Sequence, residues 1–178
     1  TEYLLLENHK DLERGIANQM NPGLVDRLRL TKERITGMAE GIRQIVKLPD
    51  PVGEILDDYE AENGLHIVKK RVPMGVIGII YESRPNVTAD AFGLCFKSGS
   101  AVILKGGSDA IRSNMAITKV IQDAVVRRGV DPYVIQLIES TDRSVVNEFM
   151  KMKQYVDLLI PRGGAGLIRN VVENSLIP

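Results

Sequence analysis

Residues 76–86 read Val-Ile-Gly-Ile-Ile-Tyr-Glu-Ser-Arg-Pro-Asn. The first six are an unbroken apolar run of strand length, without the alternation of a half-exposed strand, and predict a strand buried on both faces. Polar residues and a proline follow at once. Pro85 biases Arg84 towards extended backbone and delays the next helix, for which Asn86 or Thr88 can supply a cap. The same strand–turn–helix unit recurs downstream. It predicts strand 76–81, helix 87–98, strand 101–105, helix 109–128, strand 133–138, helix 142–151, strand 156–160 and helix 165–174. Within 109–128, Ile111, Ile117, Ile121, Ala124 and Val125 share a face. Repeated units of this length imply an α/β fold, a Rossmann-like parallel sheet with helices on both faces.

Upstream the texture differs. Leu24, Leu28, Ile35, Met38, Ile42 and Ile45 recur at helical steps, Asn21-Pro22 and Thr31 mark helix entries, and Pro49 and Pro51 close the helical run. Residues 1–62 are therefore expected to form an N-terminal helical segment, and 63–178 an α/β domain. LHIVKKRV at 65–72 reads as an exposed or pairing strand.

The chain has 178 residues, 44% apolar and 26% charged, with 23 basic and 23 acidic side chains. Residues 1–60 hold twelve acids and eight bases, 61–178 eleven acids and fifteen bases. So mild and scattered an excess, with aromatics at 4%, does not match a nucleic-acid surface and suits a small anionic ligand better. No apolar run is long enough for a membrane span. The N-terminus lacks the basic-then-apolar layout of a secretory signal, so a cytoplasmic location is expected. The lone Cys95 excludes an internal disulfide and any zinc site built on cysteine pairs. Its neighbours in AFGLCFKSG are apolar, which marks an inert core thiol rather than a nucleophile. His9, among charged neighbours, is expected on the surface. His66 has no acid or cysteine at metal or triad spacing, and no metal is expected.

Three strand-end loops can carry chemistry. In ESRPN (82–86), Arg84 can face an anionic group and Asn86 can donate to a developing oxyanion; alone, the loop reads equally well as a capped turn. In LKGGS (104–108), glycines admit a ligand to the backbone and Lys105 adds a charge, although the spacing is not that of a Walker A loop. IPRGGAG (160–166) is an incomplete dinucleotide fingerprint.

Together, residues 71–114 and VDLLIPRGGAGLI (156–168) closely resemble the gamma-glutamyl phosphate reductase family of the aldehyde dehydrogenase superfamily, in its bacterial, single-function form. Residues 8–55 resemble that family's N-terminal segment. The resemblance implies an aldehyde dehydrogenase-like fold and NADPH-dependent reduction of L-glutamyl 5-phosphate to L-glutamate 5-semialdehyde and phosphate, a step of proline biosynthesis. By position, Asn86 matches the superfamily's oxyanion asparagine. Ser83, Arg84 and Pro85 line the strand end beside the cofactor. Lys105, six residues after Gly99, matches the adenosine-ribose lysine, with Gly107 in the same turn. Ser108 stands where many NAD-using relatives carry an acid, which favours NADP, although Asp109 follows it. Arg162, Gly163 and Gly164 match a second phosphate-proximal loop. The family's nucleophilic cysteine lies in a separate domain well downstream of that loop. Its counterpart is expected beyond Pro178, which makes the chain the N-terminal portion of a longer enzyme. Residues 65–72 resemble a subunit-contact extension, implying a homo-oligomer, and glutamate 5-kinase is a conceivable pathway partner. Two other readings remain open here: an amino-acid kinase holding ATP through LKGGS, and a non-enzymatic nucleotide-binding or assembly module.

Overall fold

The computed structural model describes residues 1–142 and 144–178. Three helices open the chain: α1 (Glu2–Ala17), α2 (Pro22–Leu28) and α3 (Lys32–Lys47). The Asn21 side chain accepts from Gly23 N at 2.8 Å and Thr31 Oγ1 from Arg34 N at 3.1 Å, so both expected entries are capped. Two antiparallel strands follow, β1 (Ile55–Glu60) and β2 (His66–Lys70), every residue of which is exposed. β1 lies inside the 1–62 stretch expected to be helical. The two prolines end the helix there, and pairing with 66–70, through a turn in which Gly64 takes φ +82°, decides the conformation of 55–60.

The remaining elements are β3 (Val76–Tyr81), α4 (Asn86–Lys97), β4 (Ala101–Lys105), α5 (Ile111–Val126), β5 (Ile135–Leu137), α6 (Ser144–Phe149), β6 (Leu158–Arg162) and α7 (Ala165–Asn174). Short 3-10 turns at Ser108–Ala110 and Pro132–Val134 precede α5 and β5, replacing the ends of the expected helix 109–128 and strand 133–138. Of the expected helix 142–151 only Ser144–Phe149 forms, and position 143 lies outside the described residues. Ala124, expected on the inner face of α5, is exposed, while Ile111, Ile117 and Val125 are buried.

The sheet runs β5-β4-β3-β6, with every pairing parallel. The chain starts in the middle, builds outward through β4 and β5, then crosses to the other side of β3. That reversal opens a crevice beyond the carboxyl ends of β3 and β6. The pairing of Ile77 with Leu158 and Tyr81 with Arg162 displaces the last strand from the expected 156–160. Val156 is instead buried in the core, and Asp157 clamps the start of β3, donating to Val76 O (2.9 Å) and accepting from Val76 N (2.8 Å). The shift puts Arg162 on the strand rather than in the loop. Pro161 is tolerated because β6 is an edge strand.

Side chains of β3 alternate between two cores. Ile77, Ile79 and Tyr81 pack with Phe92, Cys95, Val102, Leu104 and Ile135, on the side of α4 and α5. Ile80 packs with Phe149, Val156, Leu159 and Val171, on the side of α6 and α7. Gly78 falls on this second face, where a Cβ would lie 2.7 Å from Leu159 and 2.8 Å from Phe149. Each fully buried aliphatic side chain contributes on the order of 1.5–3 kcal/mol. The N-terminal helices form a further layer: Leu4 and Leu30 pack on Ala89, Ala116 and Ile117 of α4 and α5. No helix among the described residues is long and apolar enough to cross a membrane.

Candidate active site

The ends of β3, β4 and β6 meet at a cleft of about 810 Å3. Ser83, Arg84, Lys105, Gly107, Ser108, Arg162, Gly163 and Gly164 all line it. Loops drawn from positions eighty residues apart thus converge because parallel pairing brings their strand ends level.

The last residue of β4, Lys105, is only 5% exposed, and its Nζ donates to Gly106 O at 3.0 Å. Burial lowers the pKa of this ammonium. Gly106 is required by packing: a Cβ would collide with Asn114 Nδ2 and lie 3.1 Å from the Tyr81 ring. Beneath it, the Tyr81 hydroxyl meets Thr88 Oγ1 at 2.7 Å, and Thr88 donates to Asn114 Oδ1 at 3.1 Å. Thr88 is therefore a buried link behind Tyr81, which lines the cleft, and not a helix cap.

The loop after Lys105 is held from α1. Arg14 Nη2 donates to Ser108 O (2.7 Å), Asp109 O (3.0 Å) and the Asp11 carboxylate (2.8 Å). Asp11 is fully buried and accepts from Arg112 N, Ser113 N and Ser113 Oγ, capping the start of α5. The Asp109 carboxylate in turn accepts from Ser83 Oγ at 3.0 Å, tying the first loop to the second. No catalytic pattern marks α1 in the sequence, because Asp11 and Arg14 act through contacts about a hundred residues away.

Glu82 ties the first loop to the third. Its Oε2 accepts from Gly164 N at 2.9 Å, at the N-terminus of α7. A Cβ on Gly163 would lie 2.7 Å from the same carboxyl carbon, so that glycine makes room for it. The carboxylate satisfies a free helix N–H and gains from the helix dipole, as a ligand anion would. Glu82 stands inside the ESRPN motif, and its acidity beside two glycine loops is the one signal that could have singled it out.

Asn86 and Pro85 do not line this cleft. They border a second one of about 400 Å3 between α2, α3 and α4, and Arg84 lines both. Asn86 is the first residue of α4. Pro85 occupies the cap position without a side-chain bond, so the expected Asn86 cap is absent. The Asn86 amide Nδ2 donates instead to Asp90 Oδ2 at 3.1 Å.

Cys95 is buried, and desolvation pushes its thiol up to about 11, which keeps it protonated and unreactive at neutral pH. Pro178 lines neither cleft. Its carbonyl accepts from Leu159 N of β6 at 2.8 Å, and Ile177 beside it is buried against Val171 and Leu159. His66 does have an acidic neighbour, its Nε2 lying 2.6 Å from Asp58 Oδ1, supplied by the β1 strand that the sequence did not reveal. Both side chains are at least half exposed on the hairpin, away from either cleft. His9 is exposed and pairs with Glu13 at 3.2 Å.

A scan against protein-family models finds no match. The chain is 58% identical over 177 residues to a gamma-glutamyl phosphate reductase of Lachnospira eligens, covering 99% of this chain and 43% of that protein. The crystal structure of gamma-glutamyl phosphate reductase from Thermotoga maritima matches with a TM-score of 0.97 at 44% identity, again over 99% of this chain and 43% of that one. Propionaldehyde dehydrogenase of Rhodopseudomonas palustris, at 16% identity and a TM-score of 0.62 over 97% of this chain and 42% of that one, shares the fold. Identity above one half along nearly every residue, together with the three strand-end loops around one cleft, places this chain in the gamma-glutamyl phosphate reductase family, of whose first relatives it spans about 43% of the length, their N-terminal part.

Proposed function

We propose that the chain is the NADPH-binding portion of an enzyme that reduces L-glutamyl 5-phosphate to L-glutamate 5-semialdehyde, releasing phosphate. The observation that carries this reading is the convergence of the ESRPN, LKGGS and PRGG loops on one cleft at the point where strand order reverses. The residues present fit a dinucleotide. Gly107 has only loop backbone near it, at 3.6 Å or more from a built Cβ, so a ligand can approach the main chain closely. Arg162 and Lys105 supply positive charge. Asp109 is engaged by Ser83 and its backbone by Arg14. Its carboxylate is thereby fixed on the first loop and leaves Ser108 as the residue to meet a ribose 2′-phosphate. This supports NADPH over NADH.

When bound, the cofactor supplies the hydride. The chain's own share is to hold the dinucleotide across β3 and β6 and to offer the Asn86 amide to the carbonyl oxygen as it gains charge. Release of that amide from Asp90 is part of the reading. A cysteine thiolate outside residues 1–178 attacks the acyl carbon, and the C–O bond to phosphate breaks with its electron pair leaving on phosphate. A bound NADPH would supply the hydride that turns the enzyme-held acyl group into the aldehyde, with the thiolate as leaving group. The division at residue 62, a cytoplasmic location, glutamate 5-kinase as a pathway partner and a homo-oligomer joined through the exposed hairpin belong to the same reading. The kinase alternative has no support: the relatives are named reductases, and the Lys105 ammonium is turned onto the adjacent carbonyl.

Titration of the chain with NADPH and NADH, followed by nicotinamide fluorescence, tests the proposal. NADPH is expected to bind at least tenfold more tightly, and Lys105→Met to weaken NADPH about tenfold, the worth of one charge-assisted hydrogen bond. Equal affinities would remove the 2′-phosphate reading, and binding of neither would remove the cofactor site.

A further inference from the structure

The second cleft takes its chemistry from α2, a helix that no motif singles out. We infer that Arg27 of α2 and Arg84 of the β3–α4 loop form a subsite that grips the phosphate of an acyl phosphate, at the passage between the two clefts. Both arginines line the strand-end cleft and the cleft beside Asn86, whereas Asn86 lines only the second. A group held by this pair therefore has the cofactor cleft on one side and the oxyanion donor on the other.

The charge is suited to an anion. Arg27, Arg29 and Arg84 all border the second cleft, and among the described residues none has a carboxylate within 4.0 Å. The acids there are already engaged: Asp26 pairs with Arg34 at 3.1 Å and Asp90 accepts from Asn86. An acyl phosphate carries a dianionic group, and planar guanidinium forks match its oxygens two at a time. As the acyl–oxygen bond breaks, negative charge grows on the departing phosphate, and two cations fixed beside it favour that step over the bound ground state.

The platform under Arg27 is built rather than incidental. Leu28, its neighbour, is fully buried, and the Leu28 carbonyl accepts from Asn8 Nδ2 at 2.8 Å. Leu30 N donates to Asn8 Oδ1 at 2.8 Å, and Asn8 itself is 1% exposed. From the other side Arg34 donates to the carbonyls of Asp26 and Arg29. Arg27 thus projects from a backbone pinned on both flanks, so no backbone ordering is added to the cost of fixing its side chain on a ligand.

The identity of the anion rests on the reductase reading, but the site is testable without any nicotinamide. The chain is titrated with inorganic phosphate while the arginine Nε–Hε resonances are followed by NMR. Arg27 and Arg84 are expected to shift together, Arg27→Gln to weaken phosphate about tenfold with an unchanged urea midpoint, and Arg27→Lys to recover part of the loss. Resonances that do not move, or an affinity that Arg27→Gln leaves intact, would overturn the subsite. Failure of NADPH to bind in the separate titration would count against the cofactor reading alone.

Discussion

At the scale of single residues, the structure separates groups that the sequence places side by side. Five consecutive residues, Glu82 to Asn86, divide between two clefts: Glu82 and Ser83 face the strand ends, Arg84 borders both, and Pro85 and Asn86 belong to the second. Glu82 has the sharpest consequence. Its carboxylate holds the N-terminus of α7, the place best suited to a cofactor phosphate. A dinucleotide entering there must displace it or lie beside a like charge. Glu82→Gln is therefore expected to tighten NADPH by about fivefold, the scale of one charge at a helix terminus, in a fluorescence titration at low salt. Weaker binding would instead mark the carboxylate as a ligand of the cofactor. The motif makes ESRPN visible as a candidate loop, since its residue types and its place after an apolar run are local facts. Which of its side chains looks into which cleft depends on α2 and α3 packing beside it.

At the scale of elements, legibility followed the range of the deciding contacts. β3 and β4 match their expected bounds because a continuous apolar run and its punctuation are written within a few residues. β6 moved because its bounds come from register with β3 and from the Asp157 clamp, and β1 was missed because only its partner makes it a strand. The role of α1 was also hidden. Asp11 accepts three hydrogen bonds from the start of α5 and one from Arg14, all in a fully buried position. Asp11→Ala is expected to destabilise the chain by about 3 kcal/mol or more, because it strands buried donors and the Arg14 charge together. Glu13→Ala, which removes only the exposed His9–Glu13 pair on the same helix, is expected to cost less than ~1 kcal/mol. Urea unfolding of the two variants checks the contrast. Two similar losses would show that α1 does not anchor α5.

At the scale of the whole molecule, the hairpin stands apart. Its residues are exposed along both strands, including Ile55, Leu56, Tyr59, Ile67 and Val68, so it contributes little to the core. If it joins subunits, Ile67→Asp is expected to leave the urea midpoint of the chain within ~0.5 kcal/mol and to shift the sedimentation mass towards the monomer. An unaltered assembly would remove the hairpin from the contact. The sequence by itself determined the α/β class, the three strand-end loops, the buried character of Cys95 and the family, because apolar runs, glycine and proline punctuation and contiguous motifs are properties of short stretches. Only the tertiary structure decided that those loops share one cleft, that Asn86 opens onto another, that α1 fixes the loop after β4 and that Arg27 borders both clefts. Those facts rest on contacts between residues twenty to a hundred positions apart, and a chain acquires them only when parallel pairing and helix packing close it on itself.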